Sequence, residues 1–147
     1  MKGIVVLILA LASQLACAKE LYMVRSEVAF PEAMSLLQET INEHGYQVSR
    51  VQRVDIGLTA SGYQTDKYRV VFFGRGDEVR SLSEKHPTLI PWLPLKIAIF
   101  AEENETIVLA ASFAHLRDSY PSAEMQRYFD RWEADIQMIL EYVRVSE

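Results

Sequence analysis

Alternating and helical spacings of apolar residues predict three elements in the first half of the chain. Residues 21–28 alternate loosely and are rich in β-forming types, so we predict a first strand there. Pro31 suits the first turn of a helix, and Gly45 suits a C-terminal stop. Between them, four apolar residues recur at helical spacing: Ala33, Leu36, Leu37 and Ile41. Residues 46–54 alternate again, which predicts a strand with one solvated face and a bulge near Arg50.

The middle of the chain predicts a loop, a strand and a short helix. Residues 59–66 are polar and include a glycine, so we interpret them as a loop. Residues 67–73 predict a strand that ends at Gly74. A helix over residues 77–85 follows, and Pro87 ends it because the residue before a proline disfavours the helical conformation.

The last third of the chain predicts a hairpin and a long helix. Residues 95–101 are apolar except for Lys96, which is typical of a central strand. Residues 102–105 predict a turn, and residues 106–113 predict the second strand of the hairpin. A helix is predicted over residues 122–143. Its apolar stripe consists of Met125, Phe129, Trp132, Ile136, Ile139, Leu140 and Val143.

The predicted order of elements is β-α-β-β-α-β-β-α. Tight turns join several of the strands, and the helices are too few to cover both faces of a parallel sheet. We therefore predict an α+β fold, a two-layer sandwich in which helices pack on a mainly antiparallel sheet. No linker, repeat or low-complexity tract divides residues 19–147, so we expect one domain there.

Composition and charge narrow the classes of function. The chain has 147 residues, of which 50% are apolar and 24% are charged. These values exclude a multidomain enzyme, a disordered chain and a polytopic membrane protein. The formal net charge is −5 at pH 7. An acidic surface repels phosphate backbones, so we expect no nucleic-acid partner.

The first 18 residues have the pattern of an export signal. Lys2 precedes a short apolar run, and the small residues Ala16 and Ala18 follow it with one residue between them. The apolar run breaks at Ser13, too early for a membrane-spanning helix of roughly 20 residues. We predict cleavage after Ala18 and a periplasmic or secreted mature protein, with no transmembrane segment.

The single cysteine lies inside this signal. Cleavage after Ala18 would remove Cys17 and leave a mature chain with no disulfide, thiol nucleophile or thiolate ligand. The alternative is that Cys17 is lipidated and becomes the mature N-terminus. The preceding residues fit a lipoprotein signal poorly, since Leu15 stands one position too late.

One stretch of sequence resembles a known family. Phe73 and Gly74 precede a short helix, His86-Pro87-Thr88-Leu89 follows, and Leu93-Pro94-Leu95-Lys96 opens an apolar strand. This arrangement resembles the domain of unknown function 302 family over about residues 24–116, which would leave the long C-terminal helix as an extension.

The resemblance implies a small α+β domain that is commonly a homodimer, and it implies no settled activity. The chain departs from the family pattern at two places. Arg75-Gly76 stands where the family tends to have Asn-Pro, and the residues after Ser112 lack the family's usual run.

Four residues are candidates for binding a ligand. Lys96 is the one charge in an apolar strand and could anchor a small anion or a carboxylate. Arg75 lies in a strand-to-helix turn that could also bind an anion, although we favour the interpretation of a capped turn without a ligand. Tyr68 and His86 complete the set. For Lys96, the competing interpretation is an ammonium group that reaches water or pairs with a nearby carboxylate.

Three functions stay open at this point. The first is a non-enzymatic exported domain that binds a small ligand or a periplasmic protein. The second is a hydrolase that uses Lys96, Tyr68 or His86 as acid or base. The third is a metal- or haem-associated accessory protein that uses His or Met side chains. No nucleophile motif and no metal-ligand spacing occurs, so we predict no catalytic residue, metal or cofactor and favour the first function.

The two apolar strands of the predicted hairpin, residues 95–101 and 106–113, favour assembly of the chain into a dimer. Helices of the same chain can cover one face of the sheet, and the other face needs a cover as well. A second copy of the chain would supply it, because two-fold dimers are the commonest way to bury a self-complementary surface. The alternative is a monomer in which the C-terminal helix crosses to the free face.

Overall fold

The computed structural model describes residues 20–63 and 66–145. The predicted export signal and Cys17 lie outside these residues. No helix in the described part of the chain is long and apolar enough to cross a membrane.

The described strands form one antiparallel sheet in the order β1-β5-β4-β3-β2. The strands are β1 (Leu21–Ser26), β2 (Gln47–Arg53), β3 (Tyr68–Gly74), β4 (Leu95–Glu102) and β5 (Glu105–Ala111). The apolar strand β4 takes the centre, as predicted from its sequence. The predicted bulge is also confirmed, because the pairing of β2 with β3 shifts register between Val48 and Arg50.

The helices make the second layer. They are α1 (Phe30–Glu43), α2 (Val54–Ala60), α3 (Gly76–Lys85) and α4 (Ala123–Val145), and two 3₁₀ turns span Pro87–Trp92 and Ala114–Leu116. The apolar side chains that the helices bury all join one core cluster with inward-facing residues of the sheet, among them Ile97 and Ile99. The α+β two-layer prediction is therefore confirmed.

Helix α2 was not predicted, and the prediction that the second strand continues to residue 54 was wrong. The strand ends at Arg53, and a short helix follows directly. Asp55 lies in the first turn of this helix, where a negative charge is favoured, and it forms an ion pair with Arg69 of β3. The hydrogen bond from Arg69 lowers the pKa of the Asp55 carboxyl group. This partner lies 14 residues away in the chain, so local periodicity could not show it.

The C-terminal helix packs on the same face of the sheet as α1. Ser26 Oγ at the end of β1 donates a hydrogen bond of 2.8 Å to the carbonyl of Val143. The amide of Phe113 donates one of 2.7 Å to Glu133, which fixes the middle of α4 beside the end of β5. The interpretation in which this helix crosses to the other face is therefore wrong.

Candidate functional site

The face of the sheet turned away from α1 and α4 is a candidate interaction surface of the described residues. We call it the open face. In the observed register, it carries Leu21, Met23 and Arg25 of β1; Glu105, Ile107, Leu109 and Ala111 of β5; Lys96, Ala98, Phe100 and Glu102 of β4; Tyr68, Val70 and Phe72 of β3; and Arg50 and Gln52 of β2. The six residue-to-residue steps from Lys96 to Glu102 along β4 and the five strands across make a surface of roughly 20 Å by 24 Å.

The middle of the open face is apolar. Leu21 and Met23 on the edge strand are 54% and 55% exposed, and Phe100, Val70 and Leu109 are partly exposed. Ile107 is only 1% exposed although it does not belong to the core cluster, so neighbouring side chains on its own face enclose it. A contiguous apolar area of this extent, bordered by charged residues, is typical of an interaction surface.

The two ends of the open face carry opposite charges. Arg50 and Lys96 flank Phe72 at one end, and both are exposed. Glu102 and Glu105 pair at the other end, where Arg25 binds them at 2.7 and 2.9 Å. The first end therefore bears two positive charges, whereas the second bears one net negative charge.

The four residues nominated from the sequence lie in three separate places. Lys96 and Tyr68 share the open face but stand four register positions apart, about 13 Å along the strands. His86 ends α3, and its ring meets the ring of Tyr120 edge-on with 6.1 Å between centroids. Arg75 precedes α3 and points toward the C-terminal end of α1. The structure thus brings two of the four residues onto one surface and joins none of them in one pocket.

Among the described residues, the contacts of Arg75 are with neighbouring parts of the fold. Its guanidinium lies 4.9 Å from the ring centroid of Tyr46, and its Nη2 donates to the carbonyl of His44 at 3.3 Å. His44 caps the C-terminus of α1, where a positive charge is favoured by the helix dipole. Arg75 therefore joins the turn before α3 to the turn after α1.

Tyr68 lines an open cavity of about 540 Å³ near the β4–β5 turn. Phe100 forms another wall of it, and Asp66, Lys67 and Glu102 supply two negative charges and one positive charge. This charge balance disfavours a small anion in that cavity. Among the described residues, no group of three or more His, Cys, Asp or Glu side chains is close enough to hold a metal ion.

A partly buried polar network lies on the helical side, and sequence reasoning missed it. Tyr46 donates a hydrogen bond of 2.5 Å to Asp135 of α4. Arg131 forms an ion pair with Glu78 of α3, and Glu78 also accepts a hydrogen bond of 3.0 Å from the indole of Trp132. Burial, together with the hydrogen bond to Asp135, raises the pKa of Tyr46 well above its ordinary value, so the phenol stays neutral. The residues of this network are spread along the chain, with 89 positions between Tyr46 and Asp135, and no local motif indicates that they meet.

Replacing Tyr46 with phenylalanine tests this network. We expect the free energy of unfolding to fall by about 1–3 kcal/mol, because Asp135 loses a hydrogen bond in a partly buried position. Urea unfolding followed by circular dichroism measures the change. Tyr63→Phe is the matched control, since Tyr63 is largely exposed and its loss should change stability by less than about 0.5 kcal/mol. Equal effects of the two substitutions would contradict the structural role of the Tyr46 hydroxyl.

Comparisons with known proteins agree with this fold. The family model described as Domain of unknown function DUF302 matches residues 22–143. The match includes most of α4, so the expectation that this helix is an extension of the family domain was wrong. The crystal structure of an uncharacterized conserved protein DUF302 from Bacillus stearothermophilus is similar with a TM-score of 0.75. The similarity covers 86% of this chain and 100% of that chain at 16% sequence identity, which shows a shared fold. No curated protein matches the chain.

Proposed function

The chain belongs to the Domain of unknown function DUF302 family, and from this premise we propose that it is an exported, non-enzymatic interaction domain that works as a homodimer through its open face. The apolar middle of the open face is the observation that carries the proposal. Burying partly exposed Phe, Val, Leu and Met side chains is the main driving force for association, at roughly 25 cal/mol per Å² of apolar surface.

A second copy is the partner that the open face fits best. The face carries a cationic end and an anionic end, so two copies offer each other complementary charges without any further protein. A closed two-fold arrangement also covers the apolar middle of both copies at once. The exposed Leu21 and Met23 on edge strand β1 would be buried in the same interface.

Export is supported by the N-terminal sequence. The positively charged start, the apolar run and the small residues before position 19 have the order of a cleavable signal. Removal of residues 1–18 would leave a chain without cysteine. The domain would then depend on its packed core and on assembly for stability in an oxidising compartment.

Lack of catalysis is supported by the positions of the candidate residues. Lys96, Tyr68 and His86 were the acid or base candidates for a hydrolase. In the described structure, Lys96 and Tyr68 stand four register positions apart on the open face, and His86 lies at the end of α3. General acid–base catalysis requires such groups within hydrogen-bond reach of one substrate. The open face, by contrast, is one continuous surface.

Native mass spectrometry tests processing and assembly together. The full 147-residue chain would be expressed in a bacterium with a periplasm and purified from that compartment. We expect a dimer of chains that begin at Lys19, because cleavage follows Ala18 and the open faces pair. A monomer would overturn the homodimer, and a retained, lipid-modified Cys17 would overturn cleavage after Ala18. A stoichiometric extra mass would reveal a small ligand, metal or haem and contradict a purely protein-binding role.

A further inference from the structure

We infer that the two-fold axis of this dimer runs across the strands, so that the Lys96 end of one open face lies on the Glu102 end of the other. The inference rests on the proposed dimer and specifies its geometry. In this arrangement, strand β4 of one copy lies over β4 of the other, and the direction along the strands is reversed.

Two simple arrangements bring identical sheets face to face. An axis parallel to the strands keeps each position along the strands, so the cationic end of one copy would lie on the cationic end of the other. An axis across the strands reverses those positions and places opposite charges together. Sheets pack about 10 Å apart, so charges repeated at both ends would repel each other across the interface.

The charges on β4 favour the axis across the strands. With the axis near position 99, Lys96 of one copy faces Glu102 of the other, and the symmetry repeats this contact. Lys96 is exposed and forms no ion pair in the described structure, so its ammonium is available for a partner carboxylate. Among the described residues, Glu102 accepts one hydrogen bond from Arg25, and Arg25 is also bound to Glu105. Oppositely charged groups in register give specificity to an interface.

The sizes of the side chains on β4 also favour the axis across the strands. Ala98 and Phe100 lie next to each other on the open face of β4. Reversal of the strand direction near position 99 places the small Ala98 of each copy against the large Phe100 of the other copy. The parallel axis would instead oppose Phe100 to Phe100 and leave space between the two Ala98 residues. Close packing requires large side chains to face small ones, which the axis across the strands provides.

Charge reversal within one chain distinguishes the two axes. For Lys96→Glu, and separately for Glu102→Lys, we expect the dimer dissociation constant to rise at least about tenfold, because each change creates two like-charge contacts. The double variant should restore the dissociation constant to within a few-fold of the unaltered protein, since both contacts become attractive again. Sedimentation equilibrium over a range of protein concentrations measures the dissociation constants of the unaltered protein and of the three variants.

Controls separate this inference from the proposal on which it rests. Lys85→Glu and Glu124→Lys change the net charge equally but alter a loose surface pair outside the open face, and we expect no change in the dissociation constant. Single variants that weaken the dimer without rescue in the double variant would overturn the axis. Single and double variants that all dimerise like the unaltered protein would also overturn it. An unaltered protein that stays monomeric would instead overturn the dimer itself.

Discussion

Replacing Trp132 with alanine is expected to lower the free energy of unfolding by about 3–5 kcal/mol, the largest effect on stability that we predict. Trp132 is 1% exposed and lies at the centre of α4, where it packs against Phe113 and Phe129 with ring centroids 5.3 and 5.9 Å away. Truncation would leave a cavity between α4 and the sheet and would also remove the indole hydrogen bond to Glu78. Urea unfolding at one fixed protein concentration measures the loss, because the proposed dimerisation would make apparent stability depend on concentration.

The second tryptophan of the chain is the matched control for this result. Trp92 is 36% exposed at the end of a 3₁₀ turn, where its ring contacts only His115 among the described aromatic rings. Trp92→Ala should cost less than about 1.5 kcal/mol, since most of the cavity term is absent. A similar loss for both variants would contradict the position of α4 as a principal wall of the core.

Replacing Ala98 with glutamate is expected to convert the proposed dimer to a monomer, with a dissociation constant raised at least about a hundredfold. The symmetry places two new carboxylates in the apolar middle of the interface, and burying an unpaired charge is strongly unfavourable. Each free chain should remain folded, because in the monomer the new side chain projects into water from the open face. Sedimentation equilibrium measures the mass, and circular dichroism confirms that the fold is kept.

Ser81→Glu is the matched control for the interface variant. Ser81 is exposed on α3, so the substitution adds the same charge to a surface outside the proposed interface. We expect a dimer with an unchanged dissociation constant. If Ala98→Glu also remained a dimer, another surface would have to hold the two copies together.

The long-range contacts of α4 explain why it belongs to the domain. It supplies Met125, Phe129 and Trp132 to the core cluster, and the family match extends to residue 143. Truncating the chain before α4 would therefore expose the inner face of the sheet. A truncated domain would lack one of the two long helices that close its core, and we expect it to aggregate.

Local patterns were sufficient for most of the secondary structure. The alternation around Arg50 predicted both strand β2 and its bulge, because a break in a two-residue period shifts every later side chain to the other face. Helix α2 escaped prediction for the opposite reason. Its residues are a short mixture without a clear period, and the ion pair that supports it joins Asp55 to a residue on the next strand.

The candidate site was less predictable than the elements that carry it. Lys96 and Tyr68 were nominated separately, and only the pairing of β3 with β4 places them on one face. The charged ends of this face also require pairing, since Arg50 and Lys96 come from strands that are distant in the chain. No periodicity shows which residues become neighbours across a sheet.

By itself, the sequence determined the two-layer class and the central position of β4, because these follow from side-chain periodicity and from a run too apolar for an edge. Only the tertiary structure decided which face of the sheet stays open. The apolar stripe of α4 requires that the helix bury one side, but a stripe does not specify the surface that it meets. Contacts between residues far apart in the chain, such as Ser26 with Val143 and Phe113 with Glu133, hold α4 on the face of the sheet that α1 also covers. The opposite face is therefore left as the surface available to a partner.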